Sequence, residues 1–360
     1  MALTKLHLTN FRSYIDTTVE LGPDVTLVVG PNASGKTNLL ESLYVLTSTK
    51  SFRAKDRDLV HHQSDFFRIA ASDDDTEYAI GLRTSPVLEK RVTHNGVKRP
   101  LVRHIGQLQA TLFEPTDLEL ISGPPESRRR YLDYILSQTN RDYLTTLQAY
   151  RRVLRQRNAL LDGFEVESVR GHIFSWDLQL AELAAEIYTQ RKALIHYLNN
   201  HLTQLYADIS GDTVPLRLTY LSSVEAGNYA DVFLKTLTEN LPRDLAAGFT
   251  TIGPHREDFK VSFNNNEIMA VASRGEVRTL VLALKLAELT YSEEQTGLRP
   301  LLLLDDVFSE LDHDRRTYLL GCLKGYQTII TTTDADAVVR ELSVPHRIIY
   351  TGTEAGVING

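Results

Sequence analysis

Apolar positions change their spacing twice along the chain. Over the first third they alternate with polar ones, the period of strands that bury one face. Residues 3–8 and 17–21 read as a strand pair joined through residues 10–14. Residues 66–71, 78–83 and 90–94 alternate in the same way, and Asn95-Gly96 is a hairpin signal. Two stretches depart from this. Residues 25–29 are a nearly continuous apolar run ending at Gly30, as a strand buried on both faces should be. Residues 36–48 carry Leu39, Leu40, Leu43 and Leu46 at helical spacing.

From about residue 126 to 208 the pattern becomes helical. The segment is rich in Leu, Arg, Gln and Ala, with few Gly or Pro. Trp176, Leu180, Leu183, Ile187, Leu194, Leu198, Leu202 and Leu205 keep to one helix face. A single helix over 176–208 would be about 50 Å long. A plain helical bundle and a helical arm inserted into a sheet both fit, and sustained coiled-coil heptads are missing.

Alternation of strand and helix returns in the last third. Residues 259–263, 301–304, 328–331 and 346–350 read as strands, the last at a sheet edge, and residues 275–292 and 313–324 as helices. That order implies βαβ units and a mainly parallel sheet. The fold class is α/β, divided as 1–120, a largely helical second lobe at 121–250, and 251–360.

Composition narrows the partners. No apolar run approaches the ~20 residues that span a bilayer, so no membrane role is expected. The N-terminus shows no signal-peptide pattern, and the single Cys322 suits a reducing cytosol, so a cytoplasmic location is expected. A net charge of -7 confines any nucleic-acid surface to a local patch.

Chemistry concentrates at two places. Gly30-Pro31-Asn32-Ala33-Ser34-Gly35-Lys36-Thr37 fits G-x-x-x-x-G-K-[ST], between a buried strand and a helix, with Asn38 next. Such a loop points backbone N–H groups at phosphate oxygens, and the helix adds its positive end. Lys36 would reach the β- and γ-phosphates of ATP, and the Thr37 hydroxyl would ligate Mg²⁺. The second place is the run of leucines at 301–304 followed by Asp305-Asp306, two acids at the C-terminal end of a buried strand. Asp305 is expected to hold Mg²⁺ and Asp306 to polarise the attacking water. Upstream, Ser273 and Gly275 open a helix, where the serine reads as a phosphate contact or as a plain N-cap.

The order of phosphate loop, signature serine, aspartate pair and Ser309-Glu310-Leu311-Asp312 resembles ABC-type ATPase heads of the DNA-repair kind. Leu8-Thr9-Asn10-Phe11-Arg12-Ser13-Tyr14 and Thr49-Lys50-Ser51-Phe52-Arg53 are similar to motifs of the RecF family. So are Phe113-Glu114-Pro115-Thr116-Asp117-Leu118, the segment from Gly123 to Asp133, and Gly253-Pro254-His255-Arg256-Glu257-Asp258. Departures are Ala33 for a third loop glycine, to be tolerated if its φ stays negative, Phe52 for a histidine, and a signature reading Ser273-Arg274-Gly275-Glu276-Val277. The resemblance implies two heads sandwiching two ATP molecules, with Ser273 and Gly275 of one copy on the γ-phosphate held by the other. It places Arg12 and Arg53 near the nucleotide and Glu114 where related heads have a metal-sensing glutamine. It also implies slow hydrolysis, duplex DNA beside a single-stranded gap as target, RecR, RecO and RecA as partners, and a nucleoid-associated location.

Between 128 and 157 stand eight arginines, including Arg128, Arg129, Arg151, Arg152 and Arg155, against Asp133 and Asp142. Such a run can bind DNA phosphates without reading sequence; it can also be a solvated helix face paired with acids elsewhere. No helix-turn-helix, zinc site or stacking platform accompanies it. Two other classes fit less well. A head coupled to a nuclease or another SMC-like partner would need a second acidic metal cluster. A transporter motor would lack the triple-arginine motif.

Overall fold

The protein is described from a computed structural model covering residues 2–161, 166–224, 227–342, 344–352 and 357–359, with the side chains of 166–170, 337 and 357–359 outside the description. Residues 162–165 of the helical middle also lie outside it. The chain forms two compact units: Met1–Asp117 with Asp208–Gly211 and Lys285–Gly360, and Leu118–Ala207 with Asp212–Leu284. Residues 251–284, grouped by their sequence with the C-terminal ATPase portion, fall in the second unit.

The first unit holds two six-stranded sheets. One is antiparallel throughout, in the order Tyr14–Glu20, Lys5–Phe11, Phe66–Ser72, Glu77–Arg83, Glu89–His94, Val97–Arg99. Its last turn is the Asn95-Gly96 hairpin, with both residues left-handed at φ 49 and 74, as a type I′ turn requires. The other sheet runs Val357–Asn359, His346–Thr351, Val25–Val29, Thr328–Thr332, Leu301–Asp305, Ala110–Phe113. All of its pairings are parallel except the first. Val25–Val29, Leu301–Asp305 and Thr328–Thr332 are buried along their whole length, as strands covered on both faces are. The apolar face of helix Lys36–Ser48, through Leu39, Leu40, Leu43 and Leu46, joins both sheets' side chains in one core.

The segment His346–Thr351 is not an edge strand, because Val357–Asn359 pairs along its outer side. Three residues, Val-Ile-Asn, carry too little pattern to announce a strand.

The second unit is built on helices Pro125–Thr139, Arg141–Leu161 and Tyr229–Ala247 and most of Val166–Ser210. The last of these spans 45 residues, about 67 Å, and begins ten residues before the helix expected from the sequence. A three-stranded antiparallel sheet, Asn266–Glu267, Asp258–Phe263, Leu216–Leu221, accompanies them. The segment around 259–263 is therefore not part of the parallel sheet. Its alternating burial, with Phe259, Val261 and Phe263 inward, is that of a strand covered on one face.

Candidate active site and signature segment

Strand Val25–Val29 delivers the chain into the phosphate loop, and helix Lys36–Ser48 leaves it. Gly30 has no room for a side chain: a Cβ would lie 2.3 Å from Thr351 Oγ1 and 2.7 Å from Ser34 Oγ. Those two hydroxyls bond each other at 2.6 Å. Gly35 is left-handed at φ 97, and a Cβ there would meet the Tyr14 and Ser13 hydroxyls at 3.0 and 3.1 Å. Pro31, Asn32 and Ala33 form the exposed crest. Ala33 does not keep a negative φ. It sits at 66°, a left-handed conformation that costs a non-glycine residue roughly 1–2 kcal/mol. The buried Lys36 Nζ donates back to Gly30 O at 2.9 Å and Pro31 O at 3.1 Å, curling over the loop.

Thr37 reaches strand Leu301–Asp305, two places along the sheet from Val25–Val29: its Oγ1 donates to Asp305 Oδ1 at 2.9 Å. Thr331 Oγ1 donates to the same oxygen at 2.7 Å, brought there by the parallel register that sets Asp305 beside Thr331. Asp306 turns away in a left-handed conformation, φ 50, and its N–H donates to Thr331 Oγ1 at 2.9 Å. Burial raises the Asp306 pKa; Asp305 adds to this and Lys36 opposes it. A hydroxyl and a carboxylate held together at the C-terminal edge of a parallel sheet suit Mg²⁺, which takes hard oxygen donors and leaves other positions to phosphate and water. Among the described residues no group of three or more His, Cys, Asp or Glu is placed to hold a metal unaided. The donors present thus fit a cation shared with a nucleotide.

Glu114 follows strand Ala110–Phe113, whose Phe113 pairs with Leu304. It is half-buried, and burial pushes its carboxyl up to about 7, with Asp117 and Asp305 adding to the effect. Its N–H donates to Asp117 Oδ2 at 2.8 Å. Behind it the buried Lys285 pairs with Glu288 at 2.7 Å and stands 4.0 Å from Asp117.

Sequence reasoning missed Glu41. This fully buried acid accepts both Arg12 Nε and Nη2 at 2.9 Å, Arg53 Nη2 at 3.0 Å and Ser51 Oγ at 2.5 Å. Arg53 also donates to Asn38 Oδ1 at 2.7 Å, and Asn38 Nδ2 donates to Ser13 Oγ at 2.9 Å. Arg12, Arg53 and Asn38 are thereby gathered at the first turns of the phosphate-loop helix. The available signal was an acid inside an apolar helical stripe, Leu39-Leu40-Glu41-Ser42-Leu43.

The signature segment lies in the second unit. Ser273 N–H donates to Glu276 Oε2 at 2.6 Å, and Glu276 N–H donates to Ser273 Oγ at 3.3 Å. This is a reciprocal capping box at the start of helix Arg274–Thr296, within whose first turn Gly275 lies.

The arginine run divides. Arg128 forms a bidentate pair with Asp258 at 2.7 and 2.8 Å, and Arg151 pairs with Asp133 at 3.0 Å. Arg157 is fully buried between Asp177 at 2.6 Å and Asp244 at 2.7 Å, so it is not a surface cation. The acids that balance the run come from distant parts of the chain, not from Asp133 and Asp142 alone. Arg129 donates to Glu257 O at 3.1 Å. Arg152 and Arg155 are exposed, with no ion pair among the described residues.

Residues 2–353 match the family model of the RecF/RecN/SMC N-terminal domain. The DNA replication and repair protein RecF of Limosilactobacillus reuteri is 37% identical over 357 residues, 95% of each chain. That of Herpetosiphon aurantiacus is 35% identical, covering 97% of this chain and all of the relative. A solved structure of the recombination mediator protein RecF with ATP in the RecFOR pathway matches with TM-score 0.90 and 32% identity over 100% of this chain and 97% of that one. An SMC head bound to the C-terminal winged-helix domain of ScpA shares the fold at 17% identity, TM-score 0.56, over 100% of this chain and 98% of that one. With a phosphate loop and an aspartate strand joined in one α/β ABC-type head, and relatives matched along nearly their whole length, the chain belongs to the RecF family.

Proposed function

We propose that the protein is an ATP-gated DNA-binding protein of recombinational repair and replication restart. It holds Mg²⁺-ATP on residues 30–38, dimerises on ATP, and binds duplex DNA near single-strand gaps to promote RecA loading with RecR and RecO. Hydrolysis is slow and stimulated by DNA, and serves as the release switch. The single observation that carries the reading is the 2.9 Å hydrogen bond from Thr37 to Asp305, which joins the phosphate loop to the acid strand. Lys36, now satisfied by two loop carbonyls, would transfer its donors to the β- and γ-phosphate oxygens. Thr37 and Asp305 would hold Mg²⁺, which when bound neutralises phosphate charge. Asp306, its pKa raised by burial, would accept the proton of the water that attacks the γ-phosphorus as the bond to the leaving oxygen breaks. Ser273 and Gly275 of the second copy would contact the same γ-phosphate, and Ser273 would then give up its capping bond to Glu276. Arg12 and Arg53 carry positive charge beside the nucleotide.

Sedimentation with ATP and then ADP tests the reading. A dimer with ATP and a monomer with ADP are expected, and Ser273→Arg should remain monomeric while still binding ATP. One unchanged state under both nucleotides would refute the gate.

A further inference from the structure

The Gly253-to-Asp258 motif is a heavily braced loop of the second unit. Gly253 is left-handed at φ 118, and a Cβ there would lie 2.8 Å from the Tyr150 hydroxyl and 2.9 Å from the Phe233 ring. Pro254 O accepts from Arg191 at 2.6 Å. The His255 ring bonds Tyr150 at 2.6 Å on one side and Thr250 O at 3.1 Å on the other. Glu257 is buried and accepts the hydroxyls of Tyr220, Tyr229 and Ser222 at 2.7 to 2.8 Å. Asp258 is taken by Arg128. Five of the six residues thus face inward partners.

Arg256 is the exception. Its side chain is exposed and has no ion pair or hydrogen bond among the described residues. Its guanidinium lies 4.7 Å from the centroid of the Phe249 ring, itself 40% exposed. Stacking of this kind fixes the planar fork before any ligand arrives. Arg129 stands against the same loop, bonded to the carbonyl of Glu257, the residue after Arg256, with no carboxylate at ion-pair distance among the described residues. Burial lowers its pKa, the positive charges of Arg191 and Arg256 push in the same direction, and the more distant carboxylates of Asp258 and Glu126 oppose them. Arg256 on the braced loop and Arg129 on helix Pro125–Thr139 against it, neither held in an ion pair among the described residues, form a seat for oxyanions, and repeated phosphodiesters suit them through forked N–H donation.

We propose that Arg256 and Arg129 form the main phosphate-contact point of the second unit for the backbone of duplex DNA, in place of Arg128 and Arg151, each of which is already held in an ion pair. This rests on the reading that the protein binds DNA. The test uses the full chain with ATP and a labelled duplex of arbitrary sequence, titrated by fluorescence anisotropy between about 50 and 200 mM salt. Arg256→Ala and Arg129→Ala should each lower the log–log salt slope by about one. Over that range the fall in affinity should shrink about 3.5-fold for each variant and roughly 12-fold for both together. Arg256→Lys keeps the charge and should keep the slope. Thermal midpoints check that the variants fold.

A double variant with the parent slope would overturn the proposal and move the contact elsewhere. Loss of binding to poly-L-glutamate with the DNA slope unchanged would also overturn it, reassigning the seat to an acidic protein surface. If the parent protein shows no salt-dependent binding of duplex DNA, the DNA reading itself fails first and the seat with it.

Discussion

Replacing Glu114 with glutamine isolates the cost of keeping an acid beside the Asp305 site. Folding moves its pKa from the ordinary 4.5 to about 7, first through burial and then through the neighbouring Asp117 and Asp305. The sign follows from which state holds the proton. Between those two values the folded protein keeps Glu114 protonated while the unfolded chain has released the proton. The folded state therefore binds more protons, and stability falls as pH rises through the window. The full difference corresponds to about 3 kcal/mol. Glu114 is only half-buried, so solvent reduces this to about 2 kcal/mol. Glu114→Gln has no proton to gain and should lose this part of the pH dependence. Urea unfolding without nucleotide or metal, at several pH values from about 5 to 8 and with each transition fitted separately, gives the comparison. The variant should gain on the parent by about 2 kcal/mol across that range, most of it below pH 7. Glu288, also pushed up to about 7, contributes equally to both proteins and cancels. A stability difference that does not change with pH would show that Glu114 ionises normally and refute the argument.

Three further substitutions read other parts of the structure. Ala33→Gly relieves a left-handed alanine and should raise stability by about 1 kcal/mol, seen as a higher urea midpoint; a decrease would mean that the loop does not hold φ 66. Arg157→Leu strands Asp177 and Asp244 in the interior and should cost about 3–5 kcal/mol in thermal or urea melts, a loss that a surface cation would not produce. Asp306→Asn should leave ATP affinity intact and slow hydrolysis by roughly 10²-fold or more in single-turnover assays, with DNA released more slowly after an ATP chase; parent-like hydrolysis would remove Asp306 from the chemistry.

What could be read from the sequence was local. The phosphate loop, its strand and its helix, and the leucine strand ending in two acids are contiguous segments with strong periods, and the helix Lys36–Ser48 matches its expected span. What could not be read depends on distant partners. Arg128 meets an acid 130 positions away, and Arg157 meets acids 20 and 87 positions away, so counting charges in a window overstated the basic surface. The sheet membership of Asp258–Phe263 was hidden because a strand's sequence does not say which neighbour it pairs with. The left-handed conformation of Ala33 was hidden for another reason: a residue's type does not fix its backbone conformation inside a tight loop.

The buried trio of Arg157, Asp177 and Asp244 also constrains exchange of segments between relatives. Each member comes from a different helix, Arg141–Leu161, Val166–Ser210 and Tyr229–Ala247, so no single transplanted helix carries the set. A chimera that imports one helix from a homologue with a neutral residue at the matching position would inherit an unbalanced charge in its interior. Crossover points are therefore safest where all three helices travel together. Directed recombination libraries of this chain should lose viable members in proportion to how often they split the trio, whatever the identity of the parents at the ATP site.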